Sequence, residues 1–366
     1  MKVSDIIRTL EEWAPKQHQE SYDNSGLICG DPESTITSVL CSLDCTEEVV
    51  KEAANKGCEM IIAHHPIVFA GMKSLTGQNY VERTVIAAIQ KGIAIYAIHT
   101  NLDHAWTGVN RKIGERLDLQ NLQVLSPKTD ALLKLDTFVP HAALEDVKTA
   151  LFNAGAGHIG EYDHCSFSSE GQGTFRGSIN STPTVGQAGE DHREAESKLE
   201  VILPFHLKSK LVKALLTAHP YEEVAYDLIA LQNEHQQLGS GMIGRLSTPQ
   251  SEKSFFEHVA ERFKLKVIRH TALLGKPIET VAFCGGAGRF LLPNAIAQKA
   301  DVFITSDFKY HEFFDAEQKL VIMDIGHFES EQFTPELIKE YLEEKIPTFA
   351  VLLSEAGTNP VHYYIS

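Results

Sequence analysis

Three stretches carry the side chains best suited to chemistry. Gly57-Cys58-Glu59-Met60-Ile61-Ile62-Ala63-His64-His65-Pro66 runs from an apolar segment into two adjacent histidines and a proline. Proline cannot donate to a continuing sheet ladder, so the chain leaves the sheet where the imidazoles are presented. Neighbouring strand residues point to opposite faces, so His64 and His65 serve two metal ions more readily than one. Ile98-His99-Thr100-Asn101-Leu102-Asp103 follows a second apolar run, and His327-Phe328-Glu329-Ser330-Glu331 sets an imidazole and a carboxylate four residues apart. That spacing stacks both on one face of a helix. Imidazole and carboxylate without a nearby thiolate suit Zn, Fe, Mn, Co or Ni. His64, His65, Asp103, His327 and Glu331 exceed the needs of one tetrahedral zinc. Two divalent metal ions per chain, joined by a carboxylate, fit better, and Asp103 is the expected bridge. Either motif alone reads as a solvated turn or a surface pair. Their corresponding places in two similar halves favour a shared site.

His99 and His311 could orient a ligand carboxylate or transfer protons. Asp307, just after an apolar run, could hold a histidine ring. The turn Cys284-Gly285-Gly286-Ala287-Gly288 lacks a P-loop Lys-Ser/Thr or a dinucleotide fingerprint, so it reads as tight packing rather than a phosphate cradle. Asp23-Asn24-Ser25-Gly26 reads as an Asx-turn. His219-Pro220-Tyr221 has no ligand set around it and reads as structural.

The elements that must position these groups follow from period and punctuation. Val39–Leu43, Met60–Ala63 and Ile93–Ile98 are short apolar runs, separated by helical patterns that stop at Gly57 and Gly92. Strands alternating with helices predict a largely parallel, helix-covered sheet whose ligands gather at the strands' carboxyl ends. Residues 281–307 repeat the order found in 39–65, with Lys56 matching Lys299. The strand ending in His327 and Glu331 likewise repeats the one ending in His99 and Asp103. From about Pro127 the texture changes to a strand, helix, strands, helix, strand order, with a Gly/Ser/Thr/Pro-rich loop at 168–189. The expected fold is α/β: two related βαβ lobes forming a metal-binding core, with an inserted α+β ferredoxin-like domain. The boundaries are 1–126 for core lobe 1, 127–232 for the insert and 233–366 for core lobe 2.

Composition sets outer bounds. The 366 residues carry a formal charge of −16, which argues against broad binding of nucleic acid or anionic membrane. Six cysteines without a CxxC pair read as buried reduced thiols. No run is long enough to span a bilayer and the first residues begin an amphipathic helix, so the cytoplasm is the expected compartment.

Ala63-His64-His65-Pro66-Ile67, Ile98–Asp103, Thr305–His311 and Gly326–Glu331, with Asp23-Asn24-Ser25-Gly26-Leu27, resemble the GTP cyclohydrolase I type 2 homologues, also called the NIF-three-like family. Serine at 306 departs from the glycine that many members carry there. The resemblance implies a dinuclear site held by His64, His65, Asp103, His327 and Glu331, with His99 and His311 close by. It also implies a PII/CutA-like middle domain and a toroidal homohexamer whose sites face an inner cavity. Two functions follow as expectations. One is a metal-dependent hydrolase acting on a nucleotide or other small molecule, GTP cyclohydrolase-like or phosphoesterase. The other is a non-enzymatic metal-binding or regulatory ring with a small-molecule-sensing insert.

Overall fold

The computed structural model describes residues 1–364. The chain divides into two compact units, one built from Met1–Pro127 and the segment from Gln237 onward, the other from Lys128–Gln236. Among the described residues no helix is long and apolar enough to cross a membrane.

The larger unit holds two sheets. In the first, the strands run in the order Gly26–Cys29, Ala94–Ala97, Met60–Ala63, Ser38–Ser42, Ala350–Leu353. All neighbours are parallel except the antiparallel edge strand Gly26–Cys29. Its three central strands are buried at every position, as expected for a sheet covered on both faces. Helices Glu47–Lys56 and Tyr80–Lys91 supply Val49, Val50, Ala53 and Ala88 to one face, against Leu40, Ile61 and Ile95. Thr46 and Asn79 cap these helices at their N-termini, and Gly57 and Gly92 end them in the left-handed conformation. The opposite face, with Cys41, Ile62 and Tyr96, shares a core with Phe283, Ile304 and Met323 of the second sheet.

That second sheet runs Arg269–His270, Val321–Asp324, Val302–Thr305, Ile278–Phe283, His235–Gln250, Gln120–Lys128. Its middle three strands are parallel. The hydrogen bonds of the two halves correspond closely. Cys58 N–H donates to Ala53 O at 2.8 Å as Ala300 N–H does to Ala295 O at 3.0 Å. The Glu59 carboxylate accepts from the N–H of Thr37 and Ser38, and Asp301 accepts from those of Glu279 and Thr280. Ala94 N–H reaches Glu59 O and Val321 N–H reaches Asp301 O, both at 2.9 Å.

These bonds correct the sequence alignment by one residue in two places. Lys299 pairs with Gly57 rather than Lys56, because both sit at positive φ, +57° and +71°, where the chain turns into the next strand. The five-residue helix Thr100–His104 is the counterpart of His327–Glu331. His327 therefore corresponds to Thr100, not His99, and Glu331 to His104, not Asp103.

The smaller unit is a four-stranded antiparallel sheet in the order Ser166–Arg176, Asp191–Pro204, Leu132–Pro140, Tyr226–Ala230. Helices Leu144–Ala154 and Lys208–Ala218 pack Val147, Leu151, Leu211 and Leu215 onto Leu133, Leu135, Val201 and Leu203. The stretch read as the start of a long loop is instead the strand Ser166–Arg176, paired residue by residue with Asp191–Val201. Its sequence hides this because most of the strand is exposed. Backbone bonding holds it without an apolar alternation.

Glu82 ties down the loop that precedes its own helix. Its carboxylate accepts from the N–H of Thr76 (2.9 Å) and Gln78 (3.1 Å), and from the side chains of Thr76, Ser74 and Asn79. Those backbone donors hold the acid down at about 2, from an ordinary 4.5. A carboxyl with a lowered folded-state pKa stabilises fully above its unfolded value and loses that contribution as pH falls. Glu82→Gln is expected to lower Tm at pH 7, with the gap to wild type constant down to about pH 4.5 and closing toward pH 2. Thermal melts across that range read the gap directly.

Candidate metal centre

The residues singled out by type gather at the carboxyl ends of the parallel strands. His64 and His65 follow Met60–Ala63, and His99 and Asp103 follow Ala94–Ala97. Asp307 follows Val302–Thr305, and His327 and Glu331 follow Val321–Asp324. Gly326, at φ +94°, makes the turn that starts the His327–Glu331 helix. Gly286 is needed for another reason: a Cβ there would lie 2.5 Å from Glu331 Oε1.

Three overlapping groups result, each with ligand atoms within 4.8 Å of one another: His64, His65 and His99; His65, His327 and Glu331; His64, Asp103 and Glu331. His65 Nε2 lies 3.0 Å from Glu331 Oε2 and 3.2 Å from His327 Nε2. His327 Nε2 is 3.2 Å from the same Glu331 oxygen. Across the carboxylate, His64 Nε2 lies 3.8 Å from Glu331 Oε1 and 3.6 Å from Asp103 Oδ1. Glu331 thus stands between two groups, while Asp103 belongs to one. Asp103, the expected bridge, lies to one side, and the Glu331 side chain reaches the space between the two adjacent histidines. His311 is exposed in the stretch Tyr310–Ala316, its ring against Tyr310 and Phe314. It joins none of the groups found among the described residues.

Each histidine is fixed through Nδ1. His65 Nδ1–H donates to Asp44 (2.7 Å), His99 to Asp23 (2.7 Å), His327 to Asp307 (2.6 Å) and His64 to the carbonyl of Ile98 (2.8 Å). Such bonds set ring orientation and leave Nε2 for a ligand. Asp23 is more than an Asx-turn. It also accepts from the Thr100 hydroxyl and N–H, so one carboxylate locks the whole strand end. Asp44 was not found from the sequence. Its only signal is its place two residues beyond the buried strand Ser38–Ser42, beside the strand that carries His65.

The electrostatics show how much charge is confined here. Burial opposes charge on the rings, yet Asp44 and Glu331 hold His65 up at about 9, and Asp307 and Glu331 hold His327 up at about 11. Fully buried His64 is pushed down by desolvation. Burial and the neighbouring charge of Glu331 push Asp103 well above the carboxylate range. Glu331 is itself held well down, its burial outweighed by His327, His64 and His65. Two side-chain atoms in the centre are buried without any hydrogen-bond partner, His64 Nε2 and Asp103 Oδ1. Burial of an unpaired polar atom costs free energy that a cation would recover.

Cys284 joins none of the three groups found among the described residues. Burial, Asp103 and Glu331 push its thiol well above its ordinary value. In the turn after it, the three glycine N–H groups are already engaged. The N–H groups of Gly285, Gly286 and Gly288 go to Asn110, Ser330 and Thr305 side chains at 3.0, 3.0 and 2.9 Å. In the smaller unit, His219 donates to the Phe138 carbonyl and is structural there.

Asp44→Asn tests the orienting role. It is expected to weaken metal affinity about 10- to 100-fold while leaving the far-ultraviolet circular dichroism unchanged. A chelator competition titration measures the difference.

The chain matches the family model of Duf34/NIF3 (NGG1p interacting factor 3) over residues 1–360. A Halalkalibacterium halodurans protein named GTP cyclohydrolase 1 type 2 homolog is 38% identical over 368 residues, covering 98% of this chain and 99% of its own. A Bacillus subtilis protein of the same name is 35% identical over 365 residues, covering 97% and 96%. Among solved structures, a Bacillus cereus protein related to NIF3 superposes with a TM-score of 0.86 at 38% identity, covering 100% of this chain and 99% of that one. A Staphylococcus aureus protein superposes at 0.78 with 29% identity, covering 100% and 99%. Sequence and fold agree over essentially the full length: the chain belongs to the Duf34/NIF3 family.

Proposed function

We propose that this chain is a dinuclear metal-dependent hydrolase acting on a nucleotide or other small molecule. The observation that carries this reading is the pair of buried, partnerless ligand atoms, His64 Nε2 and Asp103 Oδ1, facing a carboxylate shared with His65 and His327. His64, Asp103 and Glu331 would hold one divalent ion, and His65, His327 and Glu331 the other. Zinc is the ion to try first, and Fe, Mn, Co and Ni suit the same imidazole and carboxylate donors. When bound, the ions supply Lewis acidity, polarising the bond to be cleaved and lowering the pKa of water to roughly 7.

The chain's own residues do the rest. Asp44 and Asp307 keep the His65 and His327 rings turned inward. Asp23 holds His99 by one nitrogen, leaving the other at the edge of the centre, where it can carry a proton between solvent and substrate. His311 has no part in this scheme, since its exposed ring lies among Tyr310 and Phe314. The name carried by the relatives points toward GTP as one substrate to try, with phosphoesters beside it.

Several finer features belong to the same proposal: a toroidal homohexamer, a cytoplasmic location, and an insert of the ferredoxin-like, PII/CutA-like kind. The division into two related core lobes around that insert belongs with them. A regulatory metal-binding ring is the competing reading, and a cavity of about 770 Å³ in the insert favours it.

The test is metal content and turnover measured together. Wild type is expected to bind two zinc ions per chain and to hydrolyse GTP or a phosphodiester from a panel. Glu331→Gln should lose at least one ion and about 100-fold or more of the rate, with its secondary structure intact. Two ions without turnover on any substrate would favour the regulatory reading; fewer than one ion would refute both.

A further inference from the structure

The mouth of the centre carries two exposed aromatic rings that the hydrolase scheme leaves unused. Tyr22 is 62% and Phe69 52% exposed. Their centroids are 6.3 Å apart at 49°. Phe69 also stands 6.3 Å from the His99 ring, edge to face at 80°. These rings are braced. Asn24 Nδ2 donates to the carbonyl of Val68 at 2.6 Å, immediately before Phe69, and Ser25 N–H donates to Gln19 Oε1 at 2.9 Å. Between them, Asp23 holds His99. One turn, Tyr22–Ser25, therefore ties the backbone beneath the ring pair to the histidine beside the metal ligands. Phe69 further lines a cavity of about 830 Å³ that opens on His65 and Asp44 and continues past Met72 to Tyr80. That volume takes a ring with its substituents. Aromatic faces and edges favour another planar ring over an alkyl group of equal size.

We propose that Tyr22 and Phe69 are specificity-determining residues that select a substrate bearing a planar aromatic ring, seated so that its hydrolysable group meets the His64, His65 and His99 side of the centre. The assignment rests on the hydrolase reading, and its test separates the two. The zinc-loaded full chain is titrated calorimetrically with phenyl phosphate and with cyclohexyl phosphate, which share charge and size but not planarity. Phenyl phosphate is expected to bind about fivefold more tightly. Phe69→Leu and Tyr22→Leu, which keep apolar cover, should abolish that preference, while Phe69→Tyr and Tyr22→Phe retain it, all with unchanged zinc content. Equal affinity of the two esters for wild type overturns the aromatic assignment and leaves the hydrolase reading standing. A preference that survives both leucine variants overturns it too. Binding of neither ester overturns the aromatic assignment, while the hydrolase reading stands or falls on the zinc content and turnover of the same preparation.

Discussion

The buried carboxylate of Glu331 is the group that the rest of the structure accommodates. Only 3% of its side chain is exposed, yet it sits between His64 on one side and His65 and His327 on the other. Taking a carboxylate out of water is expensive unless partners surround it. Three imidazoles supply those partners from two strand ends, His64 and His65 after Met60–Ala63 and His327 after Val321–Asp324. Asp103 shares the same space, and two buried carboxylates so close cannot both ionise without added positive charge. His65 and His327, held up by the acids around them, supply part of that charge, and a bound cation would supply the rest.

The fold meets this demand by bringing strand ends together. Two sheets share a core of Cys41, Ile62, Tyr96, Phe283, Ile304 and Met323. That packing sets the first sheet's His64, His65 and His99 opposite the second sheet's His327 and Glu331. Precision comes from the next layer of contacts. Asp44, Asp23, Asp307 and the Ile98 carbonyl each fix one ring, and Gly286 lets the turn after Cys284 approach the Glu331 carboxylate. The two halves use matching hydrogen bonds but different side chains at the tips. Where the first half has His65, the second has Asp307, which supports a histidine.

Much of this was legible in the chain itself. Apolar runs closed by Gly57 and Gly92, and histidines or acids immediately after a buried run, are local signals that survive without coordinates. What could not be read depends on neighbours in space. Asp44 supports His65 only because Ser38–Ser42 lies beside Met60–Ala63, and strand order is not written in either segment. Glu331 rather than Asp103 stands between the histidine groups because of how deep each side chain reaches, which spacing alone does not give. The strand Ser166–Arg176 reads as loop because its polar, glycine-rich sequence carries no alternation. The one-residue offset between halves arose because Lys299 adopts a conformation more often left to glycine.

Anomalous diffraction from crystals of zinc-loaded protein, collected on both sides of the zinc edge, addresses the central claim most directly. The account predicts two peaks flanking the Glu331 carboxylate, one beside His64 and Asp103 and the other beside His65 and His327. A single peak, or density that places zinc away from Glu331, would contradict it.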